Sequence, residues 1–373
     1  MSTTTNPKLS SALEALKKNG IRVYSSNAVP ECDVIPTGSL IFNQVMNGGF
    51  HTRRLEQVFA REGVGKSVLA YTAINNALHI FPESVAILLD IECRADMEWI
   101  SKFVTEDVID RLIVLREEFI ENAGNSINKI IKQLGDIHIS IIVVDSIAAA
   151  NTARYKDADL ETMQIGGSAL GIGKFVRALV QIAEKNNTAA VILNQLRDDI
   201  GGYGPSIGHC PGGMALRHAI DASYYLRALS QKDTKDLANT TIEEKTDLGE
   251  TQQIAIGVAI KCMKGKLWSQ TSKTLFYRKA TEENEVGYDT FNEVFRLALA
   301  NNIITKPSEY SSTFLYPDFP EDAKTHDHKI VDKKNVFAFL KDNPEVYEKI
   351  KQEVINSRII EDQVSADNFV EEY

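Results

Sequence analysis

The stretch 55–80 constrains this chain more than any other. An apolar run, LEQVFA (55–60), leads into Arg61-Glu62-Gly63-Val64-Gly65-Lys66-Ser67 and then into the helical pattern VLAYTAINNALHI. This is the G-x-x-x-x-G-K-[S/T] loop in a strand–loop–helix setting, with Ala60 where the pattern has its first glycine. Backbone N–H groups of residues 61–67 at a helix N-terminus suit phosphate oxygens, because the dipole and the unpaired donors favour anions. Lys66 supplies a cation to the β/γ-phosphates and Ser67 a hydroxyl to Mg²⁺. A chance match is the competing reading, and the flanking strand and helix weigh against it. If position 60 needs a positive φ, alanine costs about 1 kcal/mol there.

Four further runs resemble the first in their near-continuous Val/Ile/Leu content: VAILLDIE (85–92), RLIVLRE (111–117), ISIIVVDS (139–146) and AAVILNQ (189–195). Such runs suit strands buried on both faces of a parallel sheet, and the helical segments between them complete βαβ units. From about 221 the runs ASYYLRAL, QQIAIGVAIKC and KTLFYRK lack long helices between them and suggest an antiparallel extension. The expected fold is α/β: a mostly parallel central sheet flanked by helices. ISIIVVDS ends in Asp145, a carboxylate placed to hold a Mg²⁺ shell. Alternation puts Asp90 and Glu92 on one face. Glu92 is then either a general base for an attacking water or a structural salt-bridge partner.

Composition excludes several classes. The 373 residues carry 41 Lys+Arg against 51 Asp+Glu, a formal charge of −10, which on its own argues against a nucleic-acid partner. No apolar run reaches the length of a membrane helix, and the N-terminal residues lack a signal-peptide core. Cys32, Cys93, Cys210 and Cys262 are scattered without metal-ligand spacing and read as buried or idle thiols of a cytoplasmic protein. His326 and His328 fall short of a metal site.

Glycine placement is less ordinary. IGGSALGIGK (165–174) holds four glycines and GGYGPSIGHCPGG (201–213) six of the chain's 22, in two stretches read as loops. Turns are the plain explanation, but long loops after a buried strand are usually functional.

Taken in order, IPTGSL (35–40), the phosphate loop, DIECRAD, IIVVDSIAA, the first glycine stretch, LNQLRDDIG, PGGMALRH and IKCMKGK resemble the RecA homologous recombinases, over roughly residues 9–358. Bacteriophage UvsX recombinases are part of the same resemblance. It implies a RecA-like P-loop ATPase core with an N-terminal oligomerisation helix and a small α+β C-terminal domain. The boundaries it suggests are 1–33 for filament assembly, 34–284 for the core, 285–358 for the small domain and 359–373 for an acidic tail. DNA-binding loops would lie at about 154–174 and 196–213, and 231–250 reads as a polar connection.

The same resemblance implies roles for residues. Glu92 matches the catalytic glutamate, and Gln195 the residue that senses the γ-phosphate. Asp96 and Trp99 fall where the family contacts adenine. Lys264 and Lys266 match a lysine pair reaching the neighbouring subunit's ATP. Leu170 and Ile200 would wedge between base triplets. Arg177, Arg197, Arg217 and the backbone of Gly212, Gly213 and Met214 would hold phosphates, which gives affinity without sequence preference. Arg227 and Lys261 would line a weaker duplex site, and His218 an interface.

The function implied is an ATP- and Mg²⁺-dependent recombinase that polymerises on single-stranded DNA, pairs it with homologous duplex and exchanges strands. Its accessory partners would be a single-stranded-DNA-binding protein and a loader, in a bacterial or, for a phage protein, a host cytoplasm. A hexameric helicase on the same core and a nucleotide-gated mediator scaffold are the alternatives. On this reading the charge sum hides a local pattern, because residues 359–373 carry five acids and no base. That tail is expected to compete with DNA.

Overall fold

The computed structural model describes residues 7–19, 30–150, 167–197, 210–229, 241–245, 251–265, 272–278, 286–308, 310–322 and 325–357. The chain divides into two units, Met1–Asp33 and Val34–Tyr373. The first contains α1 (Pro7–Lys18), an amphipathic helix on which Leu16 is exposed.

The second unit begins with β1 (Val34–Ile35), α2 (Leu40–Val45), β2 (Phe50–His51) and β3 (Leu55–Ala60). Next come α3 (Lys66–Ile80), β4 (Val85–Asp90), α4 (Met97–Ile100), α5 (Glu106–Ile109), β5 (Leu112–Arg116), α6 (Ile120–Leu134) and β6 (Ile139–Asp145). Then follow α7 (Gly167–Asn186), β7 (Ala189–Gln195), α8 (Gly213–Ala219), β8 (Ala222–Ala228), β9 (Thr241–Lys245), β10 (Thr251–Gly265), β11 (Ser272–Arg278) and β12 (Gly287–Tyr288). The last elements are α9 (Thr290–Ala300), β13 (Thr313–Leu315), β14 (Lys329–Val331), α10 (Lys333–Asp342) and α11 (Pro344–Asn356), the last opened by its proline.

Among the described residues ten strands form one sheet, in the order β12-β11-β10-β8-β3-β7-β6-β4-β5, with β9 also paired to β10. The strands from β8 to β5 run parallel, and β10 pairs antiparallel with β8, β9 and β11. Each inner parallel strand feeds both faces of the sheet. Leu88, Val143 and Val191 pack on the side of α3, whereas Leu89, Val144 and Ile192 pack on the side of α6 and α7. That is why these strands read as unbroken apolar runs. The α3-side core continues into Phe295 of α9, Phe314 of β13 and Ile350 of α11. A buried carboxylate ties α9 to α2: Glu293 Oε1 accepts from Ser39 Oγ at 2.6 Å and from the Ile41 N–H at 2.8 Å.

Three expectations change. ASYYLRAL, read as antiparallel, is β8 and runs parallel to β3, because the short helix α8 supplies the crossover from β7. The connection 231–250 contains a strand, β9, paired to β10. The four-glycine stretch 165–174 is helical from Gly167, so most of it is not a loop. Its glycines are carried by burial of Ile172, Phe175, Val176 and Leu179 at helical spacing. Gly173 also permits a close approach to α8, since a Cβ there would stand 3.1 Å from that of Ala215.

Candidate functional site

The phosphate loop leaves β3 at its C-terminal end. Ala60 is a buried strand residue without positive φ, so alanine in place of the motif's first glycine carries no left-handed backbone strain here. Positive φ falls instead on Gly63 (75°) and on Gly65 (95°), the N-cap of α3, where glycine is retained.

Around this loop lies a cleft of ≈ 340 Å³, lined by Glu62, Gly63, Gly65, Lys66 and Ser67 together with Asp90, Glu92, Trp99, Asp145, Ser146 and Gln195. Four parallel strands deliver these groups to one end of the sheet, the place where open α/β sheets bind ligands. Lys66 Nζ donates to the carbonyls of Ala60 (3.2 Å) and Arg61 (2.9 Å), which holds it inside the loop. Val64 turns its side chain inward to the core.

Ser67 Oγ donates to Asp145 Oδ2 at 3.1 Å, joining the two residues expected to serve a metal. Burial, and then the Glu92 carboxylate, push the Asp145 carboxyl up to about 6. Burial likewise holds the Lys66 ammonium below its ordinary value, against the pull of Asp145, Glu92 and Glu62. Both charged forms are thus disfavoured in the cleft. A phosphate beside Lys66 and a dication beside Asp145 would each restore them, so the residues fit a nucleotide with Mg²⁺.

Glu92 lies just beyond the end of β4. Its Oε1 accepts from Ser146 Oγ at 2.6 Å and from Gln195 Nε2 at 3.0 Å, while Arg94 Nη1 stands 4.0 Å from Oε2. Ser146 was missed by sequence reasoning, although it directly follows Asp145. Asp90 serves the backbone: its carboxylate accepts from the N–H groups of Arg94 (3.1 Å) and Ala95 (2.8 Å) and pairs with Arg116. Trp99 is half-buried, edge-on to Phe103 at 5.2 Å, with Lys102 Nζ 5.3 Å from its ring centre. Asp96 caps α4, accepting from the Glu98 N–H.

A second group surrounds α7 and α8. Leu170 at the start of α7 and Met214 at the start of α8 are 53% and 60% exposed, on two helices in contact. Arg177, Gly213, Arg217 and His218 are exposed, and Arg197 Nη2 donates to the Ala148 carbonyl. Gly212 is the N-cap of α8. Arg227 is buried, and Lys261 is half-buried on the same sheet face. Lys264 Nζ donates to the carbonyls of Arg217 (2.9 Å) and Ile220 (2.6 Å) within its own subunit. It reaches them through a register shift between Cys262 and Lys264, which turns Lys264 toward α8. Ile200, Lys266 and the stretches 154–166, 198–209 and 359–373 lie outside the described residues.

Cys262 is buried, but Cys93 is exposed beside Glu92. Among the described residues, no group of three or more His, Cys, Asp or Glu could hold a metal by itself, and no helix is long and apolar enough to cross a membrane.

The family model of the RecA N-terminal domain matches residues 8–260. The chain is also similar to Protein RecA of Mesoplasma florum, 28% identical over 315 residues that make up 82% of this chain and 86% of that protein. Protein RecA of Thermus aquaticus is 25% identical over 330 residues, 87% of this chain and 85% of that protein. For Protein RecA of Streptococcus gordonii the identity is 25% over 353 residues, 92% and 82% of the two chains.

Proposed function

This chain belongs to the RecA family, and on that premise we propose that it is an ATP-dependent recombinase that polymerises on single-stranded DNA, pairs it with homologous duplex and exchanges strands. The observation that carries this reading is the bridge from Glu92 to Gln195 (3.0 Å), which joins a candidate base to the strand that leads into the second glycine stretch.

In this reading Lys66 and the backbone of residues 61–67 bind the β- and γ-phosphates, and Trp99 stacks on the adenine. Ser67 and Asp145 would hold Mg²⁺. When bound, that ion neutralises charge on the phosphate oxygens. Glu92 orients the attacking water and takes its proton, and Ser146 fixes the carboxylate's position while Gln195 holds it until nucleotide binds. Gln195 exchanges its bond to Glu92 for one to the γ-phosphate and so reports the nucleotide to residues 196–213. Lys264 and Lys266 serve a neighbouring subunit's nucleotide, which makes turnover depend on assembly through α1 and residues 1–33. For that, Lys264 must leave the carbonyls of α8.

DNA is held by Leu170 and Ile200 between base steps and by Arg177, Arg197, Arg217, Gly212, Gly213 and Met214 on phosphates. Arg227 and Lys261 serve the duplex. Residues 285–358 form the small C-terminal domain, and the protein works in the cytoplasm. Electron microscopy of the protein with ATP and single-stranded DNA, followed by a strand-exchange assay, tests the proposal. Filaments and exchanged product are expected; their absence contradicts it.

A further inference from the structure

Asn194 is wholly buried at the end of β7, one residue before Gln195. It is absent from the lining of the nucleotide cleft. Its Nδ2 donates to the Pro211 carbonyl at 2.8 Å, and its Oδ1 accepts from the Gln195 N–H at 3.0 Å. One side chain therefore closes the base of the segment 196–210, bonding the backbone where that segment leaves the sheet and where it returns. Pro211 immediately precedes Gly212, the left-handed N-cap of α8 (φ 118°), and then Gly213 and Met214. The strand end is itself paired to the end of β3, from which the phosphate loop leaves, because the Leu196 N–H donates to the Ala60 carbonyl at 3.0 Å.

We infer that Asn194 is a positioning residue that ties the start of α8 to Gln195, so that the DNA-facing residues 212–214 follow the state of the nucleotide cleft. The inference rests on the proposed function, which supplies the roles of Gln195 and of α8. Geometry supports the tie in two ways. The amide donates to one partner and accepts from the other, and its own side chain is wholly buried, so both ends are held by one group shielded from water. The far end of α8 is fastened separately by Lys264, so the bond from Asn194 acts on the end nearest the glycine segment.

The test compares wild type with Asn194→Ala. Measured quantities are ATP turnover without DNA, the half-saturating concentration of oligo(dT) for stimulated turnover, and amide hydrogen exchange in the DNA-free protein. The variant should keep DNA-free turnover and nucleotide binding, need about tenfold more oligo(dT), within the range usual for coupling between sites, and exchange faster at residues 213–216 but not along β7. Asn194→Ser, which keeps a small polar group, replaces it if the alanine variant melts too low for assay. Wild-type stimulation and exchange in the variant overturn the inference. So does an equal loss of DNA-free nucleotide binding, which marks a merely structural residue. A wild-type protein unresponsive to oligo(dT) instead overturns the proposed function, and the two failures are thus distinct.

Discussion

Gln195 Nε2 donates a hydrogen bond to Glu92 Oε1 across 3.0 Å, and the same oxygen accepts from Ser146 Oγ. The carboxylate thus takes two donors from the ends of β7 and β6, before any water reaches it. Removing one donor should therefore uncouple rather than abolish the chemistry. Gln195→Ala is expected to bind nucleotide as wild type does and to lose stimulation of turnover by single-stranded DNA. Steady-state turnover with and without oligo(dT) checks this, and unchanged stimulation removes Gln195 from the sensing role.

Lys66 carries the phosphate charge from inside the loop, where burial disfavours its own ionised form until an anion arrives. Lys66→Ala should lower turnover by about 10²-fold or more, the usual loss for one preorganised electrostatic contact. The melting temperature without nucleotide should barely fall, since the lysine's hydrogen bonds are to carbonyls of the loop itself. Turnover near wild type would contradict the assignment.

Two thiols near Glu92 and Lys66 offer a chemical probe. Cys93 is exposed beside Glu92, whereas burial pushes the Cys210 thiol up to about 12 despite the cations of Arg217 and Lys66. Thiolate is the reactive form, so Cys210 should resist alkylation at pH 8 while Cys93 is modified first. Mass spectrometry after brief maleimide treatment reads the order directly. Modification of Cys210 ahead of Cys93 would contradict the raised Cys210 thiol.

Glu293 links stability to pH. Burial raises its carboxyl above the ordinary 4.5 in the folded protein, against the pull of Ser39 and the Ile41 N–H. The folded state then holds a proton that the unfolded state has released, so its contribution to stability is full below pH 4.5 and declines as pH rises. Glu293→Gln removes that decline. Urea denaturation of both proteins between pH 4.5 and 7.5 should find the variant gaining relative to wild type as pH increases; a constant difference would contradict the account.

Much of this was legible in the sequence, for reasons that particular residues make plain. β4 and β6 fall within VAILLDIE and ISIIVVDS because strands buried on both faces need near-continuous apolar runs. The phosphate loop was readable because Gly63, Gly65, Lys66 and Ser67 each meet a local demand of backbone or charge. What escaped depended on tertiary context. α7 begins among glycines because residues further along it are buried, not because of local propensity. The parallel direction of β8 follows from the seven residues of α8, too short a run for a helical period to show in the sequence. Lys264 faces α8 through a bulge, and no periodicity announces an extra residue in a strand. Ser146 and Asn194 act through hydrogen bonds to distant residues, which spacing along the chain does not encode.

The most direct test of the central claim is ATP turnover of the full chain with Mg²⁺, measured against increasing single-stranded DNA. The account predicts slow turnover without DNA and a saturable rise with it, carried by Glu92 and relayed through Gln195. Turnover that is absent, or that is the same at every DNA concentration, would contradict it.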